Sequence, residues 1–388
     1  MSSIKNKLNC TENQPITWAY VYSLAESRYK CPYCEDKIIT ASKDPSPIEK
    51  SIASPSLLAY VAISKFEDSL PLYRQEQIFK RFNVEVNRSS MSRWMICLSQ
   101  LAMPLLNLMH EDLLESPIAH CDETRIQVLK EKNKRAESQS YMWCLAKRGP
   151  QPILLYRYYD NRSAMSAWDL LDGFSGYLQV DGYKVYDKIA NKLHLNLAAC
   201  WAHVRRKFWE AEKFSKQVDK KAKPLASEAL EYIKKLYAIE KTAKGENPLK
   251  IQRIRNIESK KYIEEFHTWL LKHQNLIPPK SKTGKAIQYT LNQWDKLSTY
   301  LEHPDIEMDN NFIERCIKVF VIGRKNWLFA DTPAGAHASA ALYSLIQTAK
   351  ANDLNPFEYL HHIFTELPKA KSLEDYQRLL PYRTCLPE

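Results

Sequence analysis

The chain is 388 residues long with 45% apolar and 26% charged residues, which suits two or three compact units, each large enough to bury a core. Its N-terminus, MSSIKNKLNCTENQPITW, lacks the apolar stretch of a secretory leader, and no apolar run approaches the ~18 residues that span a bilayer; no membrane association is expected, and the expected compartment is the cytoplasm. The formal net charge is +11, and residues 203–285 alone carry 21 lysines and arginines against 10 acids, so the whole surplus sits in one segment.

In chain order, residues 1–50 read as irregular. Nine cysteines are scattered, apart from the close pair Cys31 and Cys34 in CPYC, so reduced thiols are expected rather than a disulfide framework. CPYC is half of a four-ligand zinc site; the first histidine is His110, and Cys10 is the other thiol nearby. The pair reads as a complete local zinc site, a zinc-site remnant or an incidental pair, and zinc is a doubtful cofactor. All eight glycines lie at or after Gly149, which favours helices before that point. SPSLLAYVAISKFEDSL places Ser54 as a cap and Pro55 at the first helical position. LPLYRQEQIFKRF continues the pattern; after the break NVEVNRSS, a serine is available to cap SSMSRWMICLSQLAMPLL. With Arg74, Lys80, Arg81, Arg88 and Arg93 nearby, residues 51–116 form a helix-turn-helix-like region suited to DNA.

The period changes near residue 117. IAHCDETRIQVL, SYMWCLAKR and PILLYRYYD read as consecutive strands, SAMSAWDLLDGF as a short helix, and GYLQVDGY and HLNLAACWAH as two more strands. The fold class is therefore α/β with a mixed sheet over residues 117–330. An all-helical insertion interrupts it at about 204–302, with Ile251, Ile254 and Ile257 among the residues at helical spacing. The insertion holds the basic surplus, which fits either a polyanionic partner or a solvated lysine-rich surface. Residues 331–388 complete the chain as a helical region.

Three acids stand out. Alternation along IAHCDETRI puts His120, Asp122 and Thr124 on one face, and an acid in mid-strand faces solvent or a site. Asp181 ends the apolar strand YLQVD with Gly182 behind it, at the strand end where sites of open α/β sheets collect and where a glycine admits a ligand or metal. In HPDIEMDNNFIERCIK, Asp309 is a good helix cap. Phe312, Ile313, Cys316, Ile317 and Phe320 form a buried stripe, and Glu314 points away from it. Singly, Asp122 is an exposed strand acid, Asp181 a turn residue and Glu314 a partner of Lys318. Together they form a converging set of hard oxygen donors suited to Mg²⁺ or Mn²⁺, and two such ions ~3.5–4 Å apart serve in-line phosphoryl displacement.

HCDETRIQVL, GYLQVDGYKVYD, CWAHVRRKF, HPDIEMDNNFIERCIK and GRKNWLFADTPAGAHASAALYSLIQTAKANDLNPFEYL, in that order, resemble the transposases of the insertion sequence 66 family, from about residue 31 to LEDYQRLLP near the C-terminus. The resemblance implies a ribonuclease-H-like catalytic domain with a helical insertion, and an acidic triad at Asp122, Asp181 and Glu314. It further implies metal-dependent cleavage and strand transfer on DNA, acting at the terminal inverted repeats of a bacterial mobile element and on target DNA. A homo-oligomer on DNA and accessory proteins of the same element are implied as partners. The front departs from the family's longer, four-cysteine segment, which implies a shortened or frame-shifted copy.

Candidate phosphate-binding residues are His203, Arg205, Arg206 and Lys207 after the fifth strand, and Arg324 and Lys325, which with Trp327 combine cation and ring. Tyr183 and Tyr186 read as packing residues. Two rival readings remain open: a DNA-binding protein derived from an inactive element, and a nuclease that hydrolyses without joining.

Overall fold

The structure, a computed structural model, describes residues 45–218 and 224–386 and two short antiparallel strands, β1 (Arg28–Lys30) and β2 (Ile38–Thr40). Cys10, Cys31 and Cys34 lie outside the described residues. The described cysteines, among them Cys121, Cys144 and Cys200, are free thiols.

The first front helix starts where the sequence marks it. The Ser54 side chain accepts the Leu57 N–H, and Pro55 occupies a position whose N–H has no helical acceptor, so α1 runs Pro55–Phe66. Next come α2 (Leu72–Arg81), α3 (Arg88–Leu101) and α4 (Met103–Leu114). The cap of α3 is Asn87 rather than a serine: its side-chain oxygen accepts the Ser90 N–H at 2.8 Å. Arg74, Lys80, Arg81, Arg88 and Arg93 are all exposed. The inner faces of these helices do not form a core of their own. Leu58, Met91, Leu98 and Leu105 are fully buried in the same apolar cluster as the sheet.

The sheet elements are β3 (Ile118–Gln127), β4 (Gln139–Lys147), β5 (Ile153–Tyr159), α5 (Ala164–Leu171, capped by Ser163), β6 (Tyr177–Val180), α6 (Lys184–Leu193) and β7 (Asn196–Ala199). Four of the five strands and α5 fall within the segments whose patterns mark them, and β4 starts one residue before its segment. The order is β5-β4-β3-β6-β7: β3, β4 and β5 form an antiparallel meander, and β6 and β7 run parallel to β3. Parallel neighbours need a crossover, which α5 and α6 supply. This order puts β3 at the centre.

The insertion comprises α7 (Trp201–Val218), α8 (Leu225–Ala243), α9 (Pro248–Ile254), a π turn at Arg255–Ser259, α10 (Lys260–Gln274), α11 (Lys282–Asn292) and α12 (Trp294–Ser298). It has a second core around Trp201, Phe208, Ile233, Phe266 and Ile287, joined to the sheet through Ile118, Ala198 and Ala199. The helical stripe expected through Ile257 breaks at the π turn, whose wider winding changes which side chains face inward. Ile257 is 63% exposed and Arg255 is 3% exposed. The Arg255 guanidinium donates to both Glu240 oxygens, at 2.9 and 2.7 Å, and to the carbonyls of Tyr300, His303 and Pro304. One buried cation thus ties α8 to the segment leading back to the sheet.

The chain ends with α13 (Asn311–Trp327), α14 (Pro333–Ala351), α15 (Pro356–Glu366) and α16 (Leu373–Arg378). Strand β5 is an edge, and α14 covers it with side chains. Thr348 accepts the Leu154 N–H and donates to the Leu154 carbonyl, both at 3.0 Å. Ser344 accepts the Tyr156 N–H at 2.8 Å, and Asn352 donates to the Pro152 carbonyl at 2.9 Å. Four residues of helix rise ~6 Å and two of strand ~6.6 Å, so the two repeats keep step over this distance.

Arg255→Ala leaves Glu240 and three carbonyls without their partner. We expect it to lower unfolding free energy in urea by about 3–5 kcal/mol, the scale of breaking a buried ion pair from one side.

Candidate active site

Asp122 is the fifth residue of the central strand β3, on the face that also carries His120 and Thr124. Asp181 follows the last residue of the neighbouring parallel strand β6, and Glu314 lies in the first turn of α13. The three carboxylates, distant in sequence, line one cavity of about 300 Å³ together with His203, Asn310 and Lys318.

A buried polar lock brings α13 there. Asn310 is 2% exposed and is the residue that precedes the helix, but its side chain makes no cap. The carboxamide instead donates to the Gln179 carbonyl at 3.3 Å, and its oxygen lies 3.0 Å from His120 Nδ1. The amide nitrogen is committed as donor, so the oxygen is the acceptor and His120 donates from Nδ1. Burial pushes the His120 pKa down to about 4, which keeps the ring neutral. Gln179 returns two bonds, to the carbonyls of Glu307 at 2.6 Å and Asp309 at 3.0 Å. Asp309, expected as the cap, instead makes a local turn by accepting the Asn311 N–H at 3.1 Å. The stripe residues Ile313, Cys316, Ile317 and Phe320 are buried, and Phe312 is half-buried.

Glu314 has no ion pair with Lys318 among the described contacts. Its Oε1 lies 3.9 Å from His203 Nδ1, and both atoms are buried without a hydrogen-bond partner. Asp122 accepts the Glu123 N–H at 2.8 Å, but burial, and after it the charges of Glu123, Asp181 and Glu314, push its pKa up to about 8. Carboxylates held this way repel one another, and a divalent cation among them relieves both costs. The donors present, hard oxygens with one buried and unpartnered, fit Mg²⁺ or Mn²⁺.

Around this set is a support that sequence reasoning missed. Glu123 points to the opposite face of β3, where its fully buried carboxylate is paired with Arg162 and accepts the Tyr186 hydroxyl at 2.5 Å. The same guanidinium reaches within 4.0 Å of Asp181 and stacks 3.5 Å from the Tyr183 ring. Tyr183 and Tyr186 are thus packing and bonding partners of Arg162 and Glu123. The sequence signal was Glu123 itself, an acid that follows Ala119 and Cys121 on the other strand face. Gly182 also differs from expectation: a Cβ there would meet the Tyr289 hydroxyl at 2.7 Å, so the glycine admits a side chain of the insertion. Lys207 lies over that Tyr289 ring at 4.4 Å.

Of the other basic candidates, Arg205, Arg206 and Lys207 are exposed on α7. Arg324 is half-buried and donates to Thr124 at 3.2 Å, on the Asp122 face of β3; Lys325 is exposed. Trp327 does not join them as a free ring. It is half-buried and packs edge-on against Phe320 at 5.4 Å, against the core.

Residues 50–338 match the family model described as Transposase IS66 family, and residues 344–382 match the IS66 C-terminal element. The chain is 31% identical over 360 residues to protein y4qI of Sinorhizobium fredii (strain NBRC 101917 / NGR234), an alignment covering 89% of this chain and 66% of that one. To y4jD of the same organism it is 31% identical over 368 residues, covering 92% and 71% respectively. The chain spans about two thirds of the length of these curated relatives. Among the described residues no helix is long and apolar enough to cross a membrane.

Two outcomes are expected here. Between its ordinary 3.8 and about 8, Asp122 holds in the cation-free fold a proton that the unfolded chain has released, so its contribution lowers stability as pH rises through that window. Asp122→Asn should remove this slope and raise the thermal midpoint at pH 8, without divalent cation, by about 2–4 °C. Asn310→Ala strips partners from His120 and the Gln179 carbonyl and should cost about 1–3 kcal/mol in urea unfolding.

Proposed function

We propose that this chain, which belongs to the IS66 transposase family, cuts DNA at the ends of its element and joins them to a target through Asp122, Asp181 and Glu314. The observation that carries this reading is that the three acids line a single cavity although they come from β3, the end of β6 and α13. The strand order, with an antiparallel meander followed by two parallel strands, supports a ribonuclease-H-like domain.

In the proposed mechanism Asp122, Asp181 and Glu314 would hold the divalent cations. Bound Mg²⁺ or Mn²⁺ would supply activation of the attacking oxygen and charge stabilisation of the leaving oxygen. The acids must be ionised for this, and Arg162, placed 4.0 Å from Asp181, sets a positive charge beside that carboxylate. Water attacks first, freeing a 3′-hydroxyl, which then attacks a phosphodiester of the target; no covalent link to the protein forms. Arg205, Arg206 and Lys207 on α7 and Lys325 on α13 grip backbone phosphates, a sequence-independent contact that weakens with salt. The exposed cations of α2 and α3 serve the element ends. The family resemblance adds an oligomer on paired ends and accessory proteins of the same element.

The test uses purified protein, labelled DNA from the two sides of its gene and a plasmid target, with Mg²⁺ or Mn²⁺. Nicked ends and strand-transfer products are expected. Asp181→Asn should lower both by at least ~10²–10³-fold while gel-shift affinity without cation stays within a few-fold. Binding without cation-dependent nicking would replace this reading with that of a DNA-binding protein, and nicking without joined product with that of a nuclease.

A further inference from the structure

The imidazole of His203 has no structural task. Its residue lies at the start of α7, where the backbone N–H is satisfied by the Cys200 carbonyl at 3.3 Å. Its Nδ1 is buried and has no partner, and neither has the Oε1 of Glu314 that it faces at 3.9 Å. That spacing is too long for a hydrogen bond. It lies between the ~3.0 Å and ~4.2 Å that separate two donors held cis or trans at ~2.1 Å from one ion. The neighbouring polar groups are committed elsewhere: Asn310 to His120 and Gln179, and the Cys200 sulfur to the Asn310 N–H at 3.2 Å. Ligand atoms of Cys200, His203 and Glu314 all lie within 4.8 Å of one another, and of the three the sulfur already accepts a hydrogen bond, which leaves His203 and Glu314. His203 also lines the same cavity as Asp122 and Asp181.

We infer that His203 is a fourth cation ligand, giving the Glu314 side of the site one nitrogen donor. The inference rests on the reading of Asp122, Asp181 and Glu314 as cation-holding acids. It makes the two ion positions unequal. Asp122 and Asp181 would offer an ion oxygen donors alone, suited to Mg²⁺ or Mn²⁺, whereas Glu314 and His203 would offer a mixed set that favours Mn²⁺ over Mg²⁺. Two facing atoms, each buried without a hydrogen-bond partner, would both be satisfied by one cation. Without cation His203 stabilises nothing, so its replacement should be tolerated by the fold.

Electron spin-echo modulation of Mn²⁺ bound to the full chain, with Mn²⁺ titrations, tests this independently of turnover. The wild type should show ¹⁴N modulation from an imidazole ligand. His203→Ala and His203→Gln should lose it and bind the weaker Mn²⁺ at least ~10-fold less tightly. Their thermal midpoints without cation should match the wild type or exceed it. Bound Mn²⁺ without ¹⁴N modulation in the wild type, or modulation that persists in both variants, overturns the inference and leaves the carboxylate reading standing. Mn²⁺ affinity indifferent to both Asp122→Asn and Asp181→Asn sinks the carboxylate reading and the inference with it.

Discussion

The candidate site depends on one small buried assembly, the side chains of His120, Asn310 and Gln179. Each comes from a different element: the central strand, the start of α13 and the neighbouring parallel strand. Glu314 arrives with a helix that follows β6 only after the whole insertion, and no local signal tells that helix where to land. The lock does so by chemistry. A neutral imidazole donates, a carboxamide accepts and donates, and a second carboxamide holds two carbonyls of the segment entering α13. All of this is buried, so a slip in register leaves unpaired polar groups away from water, at a cost of several kcal/mol. The apolar stripe of α13 decides that the helix packs, and the lock decides where along the strands it stops.

The strands, the Ser54 cap and the inward stripe of α13 were legible in the sequence because they are local: period and a capping hydroxyl are written within a few residues. So was the sidedness of β3, since alternation alone separates Asp122 from Glu123. What was not legible depends on partners far along the chain. Asn310 is polar in a stretch full of polar residues, yet it is buried because Gln179 and His120 wait for it. Gly182 looked like room for a ligand, and Tyr289, more than a hundred residues later, fills that room. The π turn at Arg255 was hidden for another reason: winding changes register without changing composition, so the isoleucine spacing looked continuous through Ile257. Trp327 beside Arg324 and Lys325 looked like a stacking platform until Phe320 supplied a ring to pack against.

The insertion is more than a basic appendage. Its core touches the sheet at Ile118, Ala198 and Ala199, and its α11 presses Tyr289 against the turn that carries Asp181. Arg255, held by Glu240, ties the insertion's exit to the segment that becomes α13. The same block therefore borders both Asp181 and Glu314. Lys207 sits over Tyr289, so the positive surface of α7 begins next to the carboxylates and runs outward from them. Charge and shape are coupled here through one aromatic ring.

The ladder of Ser344, Thr348 and Asn352 against β5 bears on how the chain is made. The residues it joins are 188 to 200 positions apart, so on the ribosome the strand leaves the exit tunnel long before its cover exists. During that interval the edge offers free N–H and carbonyl groups to any extended neighbour, including a second nascent copy. A full-length chain closes that edge with its own helix, whereas one arrested before residue 344 leaves it open. Interrupted synthesis should thus yield adhesive fragments rather than inert ones.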